Sequence, residues 1–569
     1  MKRFINFVLI LIVVSSPVLS QTTESTASKI DQLFKHAYAK GLFNGTVLVA
    51  KKGEVLYKNA FGMAEIATNR KLNVESSFYL ASVSKQFTAT CIMMLKEQGK
   101  LDYDDTLEKY FPDFPDYVKS VTIKHMLTHT SGIANHYNLG IYKPGLTNQD
   151  VYETLIKQEQ LNFVPGSQYE YSNGAYVMLA LIAEKVSGMP LHAFMEKHIF
   201  KPLDMSRSLV YHEGTPEIEN RAVGYTETGT LNDYEILTTG AGGLFSTVED
   251  IYKWDMALYT DVLVSQATLE EAFTPITLST GEVSNYGYGW GIIENNGKKS
   301  VLHTGSLSGY RTVFRRNLYD KSGYVMLTNF SGRSDLLAIR AALDNILSGQ
   351  PYDLPKTPIA NVLRDQIASS SSKELIKKAK DLLETRSDDY VVDEMRINGL
   401  GYSLLHSNDI DNALKVFEVN VALHPESSNV YDSLGEAQLV KGDSTNAIAN
   451  YKRSYKLNRN NTNAIDVLNN IGVDTSQLTI DVKVSSSTLK SYEGVYALSP
   501  NMSFNITLSD GQLYVQPTGQ NRSPIYPSSK TRFYSKLVDA QITFNKDDSG
   551  KIVSLTLHQN GDHLAIRIE

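Results

Sequence analysis

Cysteine is almost missing: Cys91 is the single one in 569 residues, so no internal disulfide can staple the fold. It falls on the apolar side of a helix-period run with nothing nearby to activate a thiolate, and it reads as a buried small hydrophobe. Long apolar runs are scarce as well. The one at residues 4–14 is too short to span a bilayer comfortably. With Lys2 and Arg3 before it and Val18-Leu19-Ser20 after it, it reads as a signal peptide covering residues 1–20, cut before Gln21. No cysteine follows that cut to carry a lipid anchor, and no later segment reads as a transmembrane span. The expectation is an exported protein, periplasmic or secreted. Positive charge is in deficit: 55 Lys and Arg against 62 Asp and Glu give −7, and loss of Lys2 and Arg3 makes it −9, which argues against nucleic acid as a partner. Metal motifs are lacking too. His125 and His129 stand four apart, but Met126 follows His125 where H-E-x-x-H has glutamate, and no third ligand is evident. Neither a metal nor a cofactor is expected.

What is present begins with Ser82-Val83-Ser84-Lys85. Phe87, Cys91, Met94 and Leu95 follow at i, i+4, i+7 and i+8, and Gly99 stands where a helix stops. Ser82 and Lys85 therefore share one face at the head of an apolar helix. The positive end of the helix dipole and burial both disfavour an ammonium there. A neutral amine beside a hydroxyl can take its proton and make the serine reactive toward a carbonyl.

Two further motifs suit the same cleft. Tyr171-Ser172-Asn173 precedes an alanine-rich helical stretch running through Lys185, and its phenol and amide can face one carbonyl together. His303-Thr304-Gly305 lies in a region that reads as antiparallel strands at 288–294, 301–305, 310–318 and 324–329. In that strand Gly305 is expected to let a substrate approach closely. Gly242 and Gly243 read as close backbone packing near the cleft.

On these motifs, residues 28–348 resemble the class C β-lactamase and serine penicillin-binding-protein family, which also holds D-aminopeptidases and family VIII esterases. The chain matches S-x-x-K at Ser82 to Lys85, Y-x-N at Tyr171 to Asn173 and H/K-T-G at His303 to Gly305. Leu127-Thr128-His129-Thr130-Ser131-Gly132, Ala241-Gly242-Gly243-Leu244 and Tyr286-Gly287-Tyr288-Gly289-Trp290 also look like the family. The resemblance implies an acyl-enzyme mechanism. Ser82 would be the nucleophile, Lys85 and Tyr171 would share the acid and base work, and Asn173 would hold the substrate amide and Lys85. The backbone N–H groups of Ser82 and Ser306 would form the oxyanion hole, and Thr304, Gly305 and Ser306 would line the substrate strand. Which of Lys85 and Tyr171 is the base stays open. His303 departs from the lysine usual in class C β-lactamases. As a histidine titrating between about pH 5 and 8, it is expected to hold a substrate carboxylate less firmly, which favours a peptidase or esterase.

Beyond Pro355 the composition changes. A polar break at residues 369–372 precedes a charged helix at 373–385, and then a 34-residue period appears. Leu400-Gly401 recurs as Leu434-Gly435, Ala413 as Ala447, Phe417 as Tyr451 and Leu423 as Leu457. This resembles tetratricopeptide repeats, and residues 463–471 look like a capping helix. Residues 489–569 are strand-rich. Asp510-Gly511 marks a hairpin, as does the stretch 559–562, and the segment looks like the small lipocalin-like barrel or sandwich of exported relatives.

The fold expected is multidomain: an α/β (α+β) β-lactamase-like domain with an antiparallel sheet flanked by helices, an α-helical repeat segment, and a small all-β barrel or sandwich. The boundaries are 1–20, 21–350, 351–388 (linker and helix), 389–473 and 486–569. The function expected is an exported serine hydrolase cleaving ester or amide bonds, of the D-amino-acid peptide type, through an acyl-enzyme on Ser82. The alternatives are a β-lactamase, or a penicillin-binding sensor that acylates without turnover. A small-molecule or peptide substrate is the main partner, and a protein partner is one reading of the helical repeats.

Overall fold

Residues 45–50, Gly-Thr-Val-Leu-Val-Ala, are apolar without alternation, the pattern of a strand covered on both faces. They form β1 (Gly45–Lys51), which with β2 (Glu54–Phe61) meets four strands from much later in the chain: β3 (Gly291–Asn295), β4 (Lys298–Leu307), β5 (Tyr310–Asn317) and β6 (Ser322–Thr328). Their order is β3-β4-β5-β6-β1-β2, with every neighbour antiparallel. The computed structural model describes residues 25–476, 478, 482–499, 502–538, 540–559 and 561–568. The expected signal peptide lies outside the described residues. The chain divides into two units, Met1–Pro355 and Lys356–Glu569.

In the first unit the sheet is covered by α1 (Thr26–Ala39), α2 (Lys85–Glu97), α3 (Asn173–Ser187), α4 (Val248–Ala257) and α5 (Leu336–Ser348). Side chains alternate across a strand, and the cores divide accordingly. Val47, Val49, Tyr324 and Met326 pack with α1 and α5. Leu48, Ala50, Val325 and Leu327 face the larger core that contains α2, α3 and α4. α2 and α3 both sit deep: α3 is apolar on nearly every side, and α2 buries Lys85, Gln86, Thr88 and Thr90 along with its apolar residues. The Ser172 hydroxyl caps α3 by accepting from the Ala175 N–H at 3.1 Å, and Gly188 ends it at φ 68°.

The predicted strand at 288–294 begins instead at Gly291. Residues 286–290 turn against α2, with Gly289 at φ 80° so close that a Cβ there would lie 2.9 Å from the Lys85 carbonyl oxygen. Packing against the helix takes precedence over extension.

The second unit opens with α6 (Ile359–Gln366) and α7 (Ser372–Thr385), the latter started by a reciprocal cap between Ser371 and Glu374. The stretch 351–388, expected as a linker and helix, contributes Ile359, Leu363 and Leu375 to one core with Ile397 and Phe417. These last two belong to α8 (Glu394–His406) and α9 (Ile410–Leu423), which α10 (Ser428–Lys441), α11 (Ser444–Leu457) and α12 (Thr462–Asn470) follow. The 34-residue recurrence has a steric meaning. A Cβ on Gly401 would meet the Phe417 ring at 2.5 Å, and one on Gly435 would meet the Tyr451 ring at 3.0 Å. In each pair a glycine on the first helix seats an aromatic ring of the second.

After α13 (Ser486–Ser491) come β7 (Gly494–Ser499), β8 (Met502–Ser509), β9 (Gln512–Pro517), β10 (Ser523–Pro527), β11 (Arg532–Ser535), β12 (Gln541–Lys546), β13 (Ile552–His558) and β14 (Asp562–Arg567). The sequence left barrel or sandwich open; the strands form a closed barrel in which Tyr496 of β7 pairs with Arg567 of β14.

Candidate active site

Ser82 sits in a 3-10 turn, Ala81–Ser84, that runs directly into α2. The turn is held from several sides. Thr312 Oγ1 donates to the Leu80 carbonyl at 2.7 Å, the Leu244 N–H donates to Ser84 Oγ at 3.4 Å, and Thr88 Oγ1 donates to the Gly240 carbonyl at 2.9 Å. Ala81 has φ 49°, the left-handed region that a non-glycine residue occupies only when its surroundings insist. The residue before the nucleophile candidate is therefore strained.

Lys85 is fully buried. Its Nζ lies 3.2 Å from Ser82 Oγ, 2.7 Å from Asn173 Oδ1 and 2.8 Å from the Ala241 carbonyl oxygen. Asn173 is oriented in turn by its Nδ2, which donates to Asn135 Oδ1 at 3.3 Å. Two of the three lysine partners are acceptors only. A neutral amine donates to both and keeps its lone pair for the Ser82 hydroxyl; an ammonium donates to all three. Either protonation state is satisfied without rearrangement. Desolvation holds the Lys85 pKa well below the usual lysine range. The amine also lies over the Tyr171 ring, 4.8 Å from its centre. Burial raises the Tyr171 pKa, offset in part by the nearby Ser82 side chain.

Across the cleft β4 presents Thr304 and Ser306 as exposed side chains, while His303 is buried. Its Nδ1 lies 2.7 Å from the Thr304 carbonyl oxygen, which can only accept, so Nδ1 carries the proton. Nε2 then accepts from the Tyr286 hydroxyl at 2.8 Å. Desolvation, with Lys85 nearby, pushes the His303 pKa down to about 3. The expectation of a histidine that titrates between pH 5 and 8 is corrected: its surroundings keep the imidazole neutral throughout that range.

Gly305 brings a second correction. A Cβ there would lie 2.2 Å from Thr312 Oγ1 and 2.3 Å from the Leu80 carbonyl oxygen. The space above Gly305 belongs to the Ser82 turn, not to a substrate. Gly242 likewise makes room for protein, with Tyr79 Oη 2.2 Å from where its Cβ would be.

The predicted residues come together. Ser82, Tyr171, Asn173, His303, Thr304 and Ser306 line one cavity of about 340 Å³, with Lys85 hydrogen-bonded behind Ser82 and Gly305, within β4, packed against the Ser82 turn. Sequence reasoning missed the rings around them. His129 is buried at φ 57°, accepts from the Ser172 N–H at its Nδ1 (3.1 Å), and has ring centres 4.1 Å from Tyr171 and 4.7 Å from Tyr286. Tyr137 and Tyr79 complete the cavity wall. The segments carrying His129 and Tyr286 stood out in the sequence, but nothing local tied them to Tyr171. His125 is engaged elsewhere, its Nδ1 accepting from the Thr122 N–H at 3.2 Å. Among the described residues no group of three or more His, Cys, Asp or Glu is placed to hold a metal ion. Cys91 is buried, and desolvation raises its thiol pKa.

Comparison with known proteins covers both ends of the chain. The family model described as Beta-lactamase matches residues 30–346, and one described as a domain of unknown function (DUF3471) matches residues 479–567. Penicillin-binding protein 4* of Bacillus subtilis is 37% identical over 354 residues, 58% of this chain and 78% of that protein. PbpX of the same bacterium is 33% identical over 296 residues, 51% of this chain and 70% of that protein. Among solved structures, the D-amino acid amidase of Ochrobactrum anthropi SV3 superposes with a TM-score of 0.50 at 23% identity, over 57% of this chain and 98% of that one, a likeness of fold.

Proposed function

Because the chain belongs to the β-lactamase family of serine hydrolases, we propose that it cleaves ester or amide bonds, of the D-amino-acid peptide type, through an acyl-enzyme on Ser82. The observation that carries this is the Lys85 amine, buried, held by two acceptors and facing the Ser82 hydroxyl. Lys85 is the base. Its burial favours the neutral form, whereas burial keeps the Tyr171 phenol protonated.

Ser82 Oγ attacks the carbonyl carbon as its proton passes to Lys85 Nζ. The oxyanion forms against the backbone N–H groups of Ser82 and Ser306, which are fixed before reaction begins. The C–O or C–N bond then breaks, and the leaving group takes a proton from Tyr171, which Lys85 resupplies. Water attacks the acyl-enzyme by the same route in reverse. Asn173 positions Lys85 and the substrate amide.

A second reading, acylation by β-lactams, is favoured by the relationship to Penicillin-binding protein 4*. The reading of the whole chain also includes export behind residues 1–20 and a partner role for helices that resemble tetratricopeptide repeats.

Intact-mass spectrometry of the protein with a penicillin, a short-chain ester and a D-alanyl peptide tests the proposal. Turnover of ester or peptide, with a transient adduct absent from Ser82→Ala, is expected. A persistent adduct with no product identifies a sensor. Equal labelling of parent and Ser82→Ala removes Ser82 from the chemistry.

A further inference from the structure

The barrel of β7–β14 is closed at one end and hollow at the other. α13 seals the first end: Leu489 and Tyr492 enter the barrel core, the Tyr492 ring stacks on Phe544 at 4.2 Å, and its hydroxyl donates to the Lys530 carbonyl at 2.7 Å. Strand direction fixes what lies opposite. Residues 518–522 and 536–538, after β9 and after β11, lie at the end away from α13.

At that end a cavity of about 250 Å³ opens into the barrel. Phe504, Val515, Ile525, Phe533 and Ile542 line it, each buried, with Leu557 completing the wall. Polar groups lie toward the mouth, at Gln520, Ser523, Ser535 and Gln559. The mouth is also apolar where a solvent-facing turn would ordinarily be polar: Leu537 and Val538 are 69% and 54% exposed. Both residues also line a polar cleft of about 1000 Å³ shared with Asn429, Asp432 and Lys536.

An eight-stranded barrel is just wide enough either to be filled by its own side chains or to hold one small ligand. This one does the first at the α13 end and leaves room for the second at the other. An apolar cavity stays dry, and one of about 150 Å³ already takes benzene, whereas drug-sized ligands need about 300 Å³ or more. The size, the aliphatic and aromatic lining, the exposed apolar lip and the polar cleft beyond it belong together. We propose that the barrel binds a medium-chain acyl group, its hydrocarbon inserted between Phe504 and Leu557 and its polar end emerging past Leu537 and Val538 into the cleft.

The test uses the full chain carrying Ser82→Ala, so that the hydrolytic site cannot turn ligand over, with octanoate, octanol and propionate in calorimetric titrations. Octanoate and octanol are expected to bind at one site and propionate not at all. Val515→Phe and Leu557→Phe, which fill the cavity, are each expected to weaken octanoate binding at least tenfold, with short-ester hydrolysis unchanged in the Ser82 protein. No binding by the parent, or parent-like affinity in both filled variants, overturns the proposal. Should a filled variant fail to fold, a crystal of the parent soaked in ω-bromo-octanoate decides. An anomalous bromine peak inside the barrel, among Phe504, Val515 and Leu557, supports the site, and a peak elsewhere or none refutes it.

Discussion

The amine of Lys85 must be neutral to accept a proton, so activity should be lost as pH falls through its lowered pKa. His303, pushed down to about 3, contributes no limb between pH 5 and 8. His303→Asn should therefore leave the rising limb of kcat/KM for a neutral ester within about half a pH unit of the parent's; a larger displacement would give the limb to the imidazole. Another buried histidine should govern stability instead. Neither ring nitrogen of His136 has a hydrogen-bond partner, and burial pushes its pKa down to about 4. The unfolded chain takes up that proton near pH 6.5 and the folded chain only near 4. Stability is therefore full above 6.5 and drains as pH falls toward 4, by up to about 3 kcal/mol. His136→Leu should flatten the fall of Tm between pH 7 and 4.5, and a parent-like slope would refute the assignment. The candidate nucleophile and its amine were legible because three residues of sequence put them on one helical face. The state of His303 was not, because Tyr286 and Lys85 reach it only through the fold.

At the scale of elements, β4 and the Ser82 turn touch through Gly305 with no space for a methyl group. Gly305→Ala should push the turn from the strand, cost about 1–3 kcal/mol of stability, and lower kcat/KM for a small ester at least a hundredfold. A variant with parent-like Tm and rate would mean that the contact is slack. Sequence pattern announced a close approach to this glycine but assigned it to a substrate, where the structure puts the Ser82 turn. The strands of the sheet were readable from apolar runs and turn residues, and the paired helices from the return of glycine and aromatic residues after 34 positions. The helices of 359–385 were harder, since their partners Ile397 and Phe417 show no local relation to them. Whether the final strands close on themselves was beyond reach, because closure joins Tyr496 to Arg567 at the two ends of the segment.

On the scale of the molecule, the first unit ends at Pro355, whose carbonyl oxygen lies 3.0 Å from His36 Nε2 of α1. Every residue placed in the catalytic cleft precedes that point. A protein of residues 25–355 should fold by circular dichroism and hydrolyse a short chromogenic ester within a few fold of the full chain's rate. A folded but inactive product would make the second unit part of the reaction. The pairing of β1 with β6, Gly45 opposite Thr328, has a consequence for how the protein comes into being. During synthesis the first strands emerge long before their neighbour exists, and closing so large a loop is slow. A nascent chain shorter than about 328 residues therefore carries an apolar β1 with one unpaired edge, which needs protection from aggregation until the last strand of the sheet arrives.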